Sequence, residues 1–219
     1  MSRIAIVGGH GQVARHLLPL LGALGHQPLA LVRRDEYRAE LEAVGAAVGL
    51  LDIEQADASA FAHAFEGCHA VVFAAGGGPD GNIDRKRTVD LEGALKTIDG
   101  ARRAGISRVV QISAIGVDEP VRDDAEPVWK AYIEAKRDAD VALRGSGLDW
   151  TILRPGRLTD DQPTGRVDLR PSIARREIPR ADVAAVVAAV LDTGAGIGAQ
   201  LDLVSGDTPV DQAVAVLSR

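Results

Sequence analysis

Apolar residues follow two alternating patterns along this chain. Short β-branched and aliphatic runs, each followed by a turn signal, predict strands, and longer segments with apolar residues at helical spacing predict helices. The predicted strands lie near residues 3–7, 28–32, 47–51, 70–74, 108–112, 150–154 and 200–204. The predicted helices lie near residues 12–24, 35–45, 57–66, 85–104, 127–145 and 180–192.

This alternation of strands and helices predicts βαβ units, and therefore an α/β fold built on a doubly wound parallel sheet. Residues 159–180 have less pattern than the rest of the chain. Late, irregular segments of a doubly wound fold often close over the ligand. We therefore expect residues 159–180 to cover the ligand site.

Composition agrees with one compact domain that spans residues 1–219, because 46% of these residues are hydrophobic. Aromatic residues make up only 3% of the chain, so the core must be mainly aliphatic. The single cysteine, Cys68, excludes an internal disulfide and a four-cysteine zinc site. The five histidines lack metal-ligand spacing, so we expect no metal.

Charge and hydropathy indicate where the protein works. The net charge is −6 and the basic residues form no long run, so we expect neither a nucleic-acid partner nor an anionic membrane surface. The N-terminus shows no signal-peptide pattern, and no run of about 18 apolar residues occurs. A soluble, cytoplasmic protein that binds a small molecule is the expectation.

The first chemical signal is a glycine-rich turn between the first predicted strand and helix. The stretch "IVGGHGQVA" satisfies G-x-G-x-x-A from Gly9, and Ala14 allows the helix to pack closely on the sheet. Glycines let the backbone turn tightly beside a pyrophosphate, which the free amides of the helix N-terminus would bind. The predicted cofactor-binding residues of this turn are Gly8, Gly9, His10, Gly11, Gln12 and Val13. His10 has a second interpretation, as a solvated loop histidine.

The end of the second strand bears on the choice of cofactor. It reads "LALVRRDE", so that Arg33 and Arg34 stand where a carboxylate for the ribose diol would be expected. Arginine offers a planar donor fork for a 2′-phosphate, which favours NADPH (NADP) over NADH (NAD). The alternative is that both arginines are solvated and that Asp35 starts the next helix.

Two further strand ends fit a dinucleotide. Asp52 follows the third strand and could accept a hydrogen bond from the adenine amino group, or instead cap the following helix. The fourth strand ends in Ala74, Ala75 and Gly76, whose small side chains would let a cofactor pass close to the backbone.

As a set, these residues resemble a known family over nearly the whole chain. The matching stretches are "GGHGQVA" at 8–14, "LVRR" at 31–34, "FAAG" at 73–76, "VDLEGALKTIDGARRAGISRVVQIS" at 89–113, "YIEAKRDAD" at 132–140, "SGLDWTILRPG" at 146–156 and "IPRADVA" at 178–184. The chain resembles the atypical short-chain dehydrogenases/reductases, which include NmrA-like and flavin or biliverdin reductase-like proteins, in the epimerase/dehydratase superfamily.

The resemblance implies a Rossmann-type, three-layer αβα core with a short C-terminal region on the substrate side. It also implies that Tyr132 and Lys136 correspond to the family's Tyr-x-x-x-Lys pair. A helix pair similar to that of the family would support a homodimer.

Four-residue spacing places Tyr132 and Lys136 on one face of a helix, where Lys136 can approach both the phenol and a nicotinamide ribose. A nearby ammonium favours phenolate, so we expect a lowered tyrosine pKa and a proton relay. The alternative is shared ancestry without retained chemistry, in which case Lys136 would only hold the ribose.

A third catalytic group would be a hydroxyl that polarises the substrate carbonyl. The fifth strand ends "VVQISAIGVD", which offers Ser113 but has Ala114 where many relatives have a second serine. Ser113 could therefore be a catalytic residue or could only bond the strand-end backbone. Pro155, in "LRPG" after the sixth strand, could turn the chain toward the nicotinamide.

Two functions from different classes remain. The first is an NADPH-dependent oxidoreductase that transfers hydride to a small carbonyl, quinone or flavin-type acceptor. The second is a non-catalytic NAD(P)-binding redox sensor or regulatory protein. The acceptor pocket would be formed by loops near 77–87, 115–128 and 157–178.

Overall fold

The structure is a computed structural model that describes residues 1–78 and 81–218. Positions 79 and 80, which belong to the predicted 77–87 loop, lie outside the described residues. The strands are β1 (Arg3–Val7), β2 (Gln27–Val32), β3 (Ala47–Leu50), β4 (Ala70–Phe73), β5 (Arg108–Ile112), β6 (Asp149–Pro155), β7 (Arg157–Thr159), β8 (Arg166–Arg170), β9 (Glu177–Pro179), β10 (Ala199–Ser205) and β11 (Thr208–Pro209).

The α-helices are α1 (Gln12–Ala23), α2 (Arg38–Ala43), α3 (Ala58–Ala64), α4 (Ile83–Arg85), α5 (Glu92–Arg103), α6 (Pro127–Arg144), α7 (Arg180–Thr193) and α8 (Val210–Ala215). Short 3₁₀ turns occupy Asp35–Tyr37 and Val216–Ser218, and a π-helical stretch, Lys86–Leu91, joins α4 to α5. None of the helices in the described ranges is both long enough and apolar enough to cross a membrane.

Within the described residues, nine strands form one sheet in the order β11-β8-β10-β6-β5-β4-β1-β2-β3. The part from β6 to β3 is parallel and has the 3-2-1-4-5-6 strand order of the Rossmann fold. The predicted final strand is β10, which pairs in parallel with β6. The Rossmann-type prediction is confirmed, and the strand order reverses between β1 and β4.

The sheet is covered on both faces, which explains why its strands are almost continuously apolar. Ile4 and Ile6 of β1 face one apolar cluster, to which α1 and α7 contribute, and Ala5 and Val7 face a second cluster on the α3, α5 and α6 side. The period-2 alternation along β1 thus serves two cores. Helices on both faces give three layers.

Two sequence expectations about elements were wrong. The helix predicted over 85–104 is interrupted by the π-helical stretch, in which Asp90 is fully buried. Residues 159–180 are not irregular throughout, because β8 pairs antiparallel with β10 and β9 pairs with β7. Both features depend on contacts with distant parts of the chain, which local periodicity does not report.

Candidate functional site

A cavity of about 250 Å³ opens outside the carboxyl ends of β1 to β4. Ligands of open α/β sheets bind at such an edge, where the strand order reverses. The cavity is lined by Gly8, His10, Gly11, Leu31, Val32, Arg33, Tyr37, Leu51, Asp52, Ile53, Glu54, Ala74, Ala75, Gly76 and Val89.

The glycine turn forms one wall of this cavity. Gly8 has φ +82°, a left-handed conformation that side chains rarely adopt, and a Cβ there would lie 2.8 Å from Ala75 Cα. A Cβ on Gly9 would lie 2.7 Å from Ala30 Cα. Glycines are therefore required for the turn to approach Ala75, after β4, and Ala30, in β2, this closely.

The turn leaves backbone donors free. Gly11 precedes α1 and no side chain caps the helix. Among the described residues, the amides of Gln12, Val13 and Ala14 consequently have no acceptor, since intrahelical bonds begin with the Arg15 amide donating to the Gly11 carbonyl. Free amides at a helix N-terminus fit the pyrophosphate of a dinucleotide.

An aromatic pair borders the cavity. His10 stacks on Tyr37 with ring centroids 3.6 Å apart and an interplanar angle of 5°. His10 Nε2 also lies 3.3 Å from Glu40 Oε2. His10 is therefore held in place and is not a freely solvated loop residue. Tyr37 was missed from the sequence, although it follows Arg33 by four positions.

The two arginines after β2 are in different environments. Arg33 lines the cavity, and its side chain is exposed and accessible to a ligand. Arg34 is absent from the lining, and its Nη1 donates to Glu36 Oε1 at 3.0 Å. This carboxylate raises the pKa of Arg34. The structure thus brings one of the two predicted arginines to the cavity.

Asp52 also lines the cavity, half-buried, and its Oδ1 accepts from the Glu54 amide at 2.9 Å. The alternative role, capping the next helix, is wrong because Asp57 caps α3 by accepting from the Ala60 amide. Ala74, Ala75 and Gly76 lie in the lining as expected. Pro155 is buried at the end of β6, and its carbonyl accepts from the Ile115 amide at 3.0 Å.

Tyr132 and Lys136 lie on α6, below the ends of β4 and β5. The Lys136 ammonium is buried, 3.3 Å from Asp90 Oδ1, and it donates to the Ile112 carbonyl at 3.2 Å. Asp90 Oδ2 accepts from the Gly77 amide at 2.9 Å. The π-helical stretch therefore places the carboxylate of Asp90 beside the predicted pair of Tyr132 and Lys136. The sequence analysis had missed Asp90.

Burial and neighbouring charges set the acidity of the two groups. Burial raises the pKa of the Tyr132 phenol, and the Lys136 ammonium lowers that pKa by less, so the net pKa lies above its ordinary value. The expectation of a lowered tyrosine pKa is wrong for this structure, because desolvation outweighs the lysine. Burial is the largest single effect on Lys136 and lowers its pKa, but Asp90, Tyr132 and Asp140 together raise that pKa above its ordinary value.

Tyr132 is half-buried, and its hydroxyl has no hydrogen-bond partner among the described residues. Its raised pKa keeps it protonated at neutral pH. A protonated, unpartnered phenol can donate a proton to a ligand that reaches it.

Ser113 belongs to a different hydrogen-bond network, centred on Asp140. Its hydroxyl donates to Asp140 Oδ2 at 2.9 Å, and the carboxylate of Asp140 also accepts from Gln111 Nε2 and Arg154 Nε. Asp140 is fully buried, and burial raises its pKa against the opposing effect of Arg154. Ser113 therefore has no free hydroxyl proton with which to polarise a carbonyl, and it does not bond the backbone as the alternative proposed.

Most of the chain is similar to known proteins. Residues 8–194 match the model of a family described as NAD(P)H-binding. A Bacillus subtilis (strain 168) protein named as an uncharacterized sugar epimerase, YhfK, is 37% identical over 97% of this chain and 98% of its own length.

Solved structures resemble the whole fold. A Bacillus halodurans protein, provisionally assigned as an NAD-dependent epimerase/dehydratase, superposes with a TM-score of 0.92 at 40% identity, over 99% of this chain and all of its own. ChuY, an anaerobilin reductase of Escherichia coli O157:H7, gives a TM-score of 0.77 at 26% identity, over 94% of this chain and 98% of its own.

Proposed function

The chain belongs to the NAD(P)H-binding family, and on that premise we propose that it is an NADPH-dependent reductase acting on a small carbonyl, quinone or flavin-type acceptor. The observation that carries the proposal is the protonated, unpartnered hydroxyl of Tyr132, on the same helix face as the buried Lys136. ChuY, a reductase with the same fold, is consistent with it.

The glycine turn, Arg33 and Asp52 would hold the cofactor. The free amides before α1 would bind its pyrophosphate, and the exposed guanidinium of Arg33 would bind a 2′-phosphate, which favours NADPH. Asp52 would accept from the adenine amino group. A reduced nicotinamide, when bound, supplies the hydride.

The chain's own residues would handle the proton. Tyr132 donates its phenolic proton to the oxygen of the reduced acceptor. Lys136, held by Asp90, orients the ribose and stabilises the phenolate that remains. Ser113 donates a hydrogen bond to Asp140, so it would help to hold α6 in place and would have no direct role in the chemistry.

One observation favours the alternative of an NAD(P)-binding redox sensor. The hydroxyl of Ser113 points to Asp140, so of the two predicted catalytic hydroxyls, Ser113 and Tyr132, Tyr132 alone is free to donate to a carbonyl substrate. A site with one free hydroxyl suits binding as well as turnover, and it also suits flavin-type acceptors, which need no protein proton donor.

The test is NADPH consumption by wild type and Tyr132→Phe against carbonyls, quinones and flavins, with NADPH affinity measured for both proteins as the control. Because general acid catalysis contributes about 10²- to 10⁴-fold, we expect carbonyl turnover to fall by about that factor with unchanged NADPH affinity. Carbonyl turnover that Tyr132→Phe leaves intact would overturn the proton-donor role. Tight NADPH binding without turnover on any acceptor would favour the sensor.

A further inference from the structure

Arg175 lies in the segment between β8 and β9, and the backbone on both sides of it is anchored. The Ile173 amide donates to Asp202 Oδ2 at 3.1 Å, and the Arg176 carbonyl accepts from the Arg157 amide at 3.1 Å. The position from which the Arg175 side chain leaves the backbone is therefore fixed relative to the sheet.

The guanidinium of Arg175 reaches from this segment to α6. Its Nη2 donates to the Ile115 carbonyl at 2.8 Å, and its Cζ lies 5.6 Å from the centroid of the Trp129 ring. The residue is nevertheless exposed, so most of its five N–H donors remain available to a ligand.

No carboxylate within the described part of the chain forms an ion pair with Arg175. Four neighbouring arginines differ in this respect, because each contacts an aspartate or glutamate: Arg157, Arg170, Arg176 and Arg180. Glu119 is a neighbour of Arg175, since a Cβ on Gly116 would lie 2.9 Å from Arg175 Nη2 and 3.3 Å from Glu119 Oε2, yet the two side chains do not pair. Arg175 is thus an anchored cation whose charge no carboxylate among residues 1–78 and 81–218 neutralises in an ion pair.

This cation adjoins the predicted proton donor. The rings of Trp129 and Tyr132 have centroids 5.5 Å apart and are tilted by 34°. Arg175 is close enough to Tyr132 for its charge to lower the pKa of the phenol, against the larger effect of burial. Arg175, Trp129 and Tyr132 therefore form one continuous surface of cation, aromatic face and phenol.

We propose that this surface binds the acceptor and that the acceptor is a planar, conjugated molecule carrying a carboxylate, which Arg175 holds while the reducible group lies at Tyr132. The proposal rests on the reductase function proposed above and names its substrate class. A guanidinium fork binds a carboxylate through two parallel hydrogen bonds, and aromatic faces stack on a planar ligand. Because Arg175 and Tyr132 both lie beside the Trp129 ring, an acceptor that is held by Arg175 and reaches Tyr132 would contact that ring.

Binding and turnover are tested separately, so that the two proposals can fail separately. Calorimetry compares 2-naphthoate with uncharged 2-naphthamide and with 1-naphthyl phosphate, using protein with and without saturating NADP. The proteins are wild type, Arg175→Gln and, as the matched control, Arg176→Gln, which changes the adjacent arginine that pairs with Asp168.

We expect wild type and Arg176→Gln to bind naphthoate about 10- to 100-fold tighter than naphthamide, the range of a charge-assisted hydrogen bond, and Arg175→Gln to lose this preference. Equal affinity of wild type and Arg175→Gln for naphthoate, or no preference over naphthamide in wild type, would overturn the proposal. Tighter binding of the phosphate than of naphthoate would overturn the carboxylate assignment.

Turnover is then measured with 4-carboxybenzaldehyde and its methyl ester under NADPH. Faster turnover of the acid, mainly through KM and lost in Arg175→Gln, supports the proposal. Equal turnover of acid and ester overturns it while leaving the reductase function intact. Turnover of neither compound counts against the reductase function alone, because calorimetry decides the role of Arg175.

Discussion

Replacing Asp90 with asparagine removes the charge that faces Lys136 but keeps the shape of the side chain. The amide oxygen of asparagine can still accept from the Gly77 amide, which Asp90 Oδ2 does at 2.9 Å. The exposed fractions of the two paired side chains are 6% for Lys136 and 1% for Asp90, so water cannot replace the lost carboxylate. Asp90→Asn therefore isolates the electrostatic contribution of this pair.

The expected cost follows from burial. Removing one partner of a buried ion pair costs about 3–5 kcal/mol, because the other charge stays uncompensated. Lys136 can limit the cost by losing its proton. Neutralising a lysine at pH 7 costs at most about 5 kcal/mol, since its ordinary pKa is about 10.4 and each pKa unit corresponds to about 1.4 kcal/mol. We therefore expect a loss of about 3–5 kcal/mol in the free energy of unfolding.

The dependence on pH should change sign. In wild type, Asp90 raises the pKa of Lys136, so the pair contributes stability that is fully present below the ordinary lysine pKa and is lost as pH rises through the folded-state value. In Asp90→Asn, burial should instead lower the pKa of Lys136. The unfolded state then binds more protons, so the variant should gain stability as pH rises from about 7 toward 10.

Urea unfolding followed by circular dichroism at pH 7 and pH 9 measures both effects. Asp99→Asn is the matched control, because Asp99 pairs with Arg103 on the surface of α5 at exposed fractions of 46% and 55% and should cost less than about 1 kcal/mol. The reasoning is refuted if Asp90→Asn costs no more than this control, or if its stability does not rise between the two pH values.

The remaining predictions concern the cofactor and the second buried network. Arg33→Ser should raise the KM for NADPH about 10- to 100-fold and leave the KM for NADH unchanged. Arg34→Ser should change the KM for NADPH much less, because the guanidinium of Arg34 already pairs with Glu36. Equal effects of the two variants in steady-state kinetics would contradict the role of Arg33. Arg154→Met should lower the free energy of unfolding by about 3–5 kcal/mol, because it leaves the buried Asp140 without its cation. Asp118→Asn, which removes the half-exposed partner of Arg154, should cost less than about 1 kcal/mol, and similar urea midpoints for these two variants would refute this distinction.

Several parts of the candidate site were predictable because they depend on neighbouring positions. The glycine turn follows a strand directly, and its spacing predicts a tight approach that Gly8 and Gly9 make against Ala75 and Ala30. The placement of Arg33 at a strand end follows from the same local pattern. The role of each of these residues in binding stays a prediction.

The sequence by itself determined the parallel sheet from β1 to β6, the helices that cover it and the shared helix face of Tyr132 and Lys136, since these follow from periods of two and 3.6 residues. Only the tertiary structure decided what faces those side chains. Asp90 meets Lys136 through a π-helical stretch that has no periodic signature, and burial rather than the lysine sets the direction of the Tyr132 pKa. Arg175 reaches α6 because its segment lies between β8, which pairs with β10 of the large sheet, and β9, which pairs with β7. Desolvation and contacts between residues far apart in the sequence depend on the whole packed molecule, so local sequence patterns do not predict them.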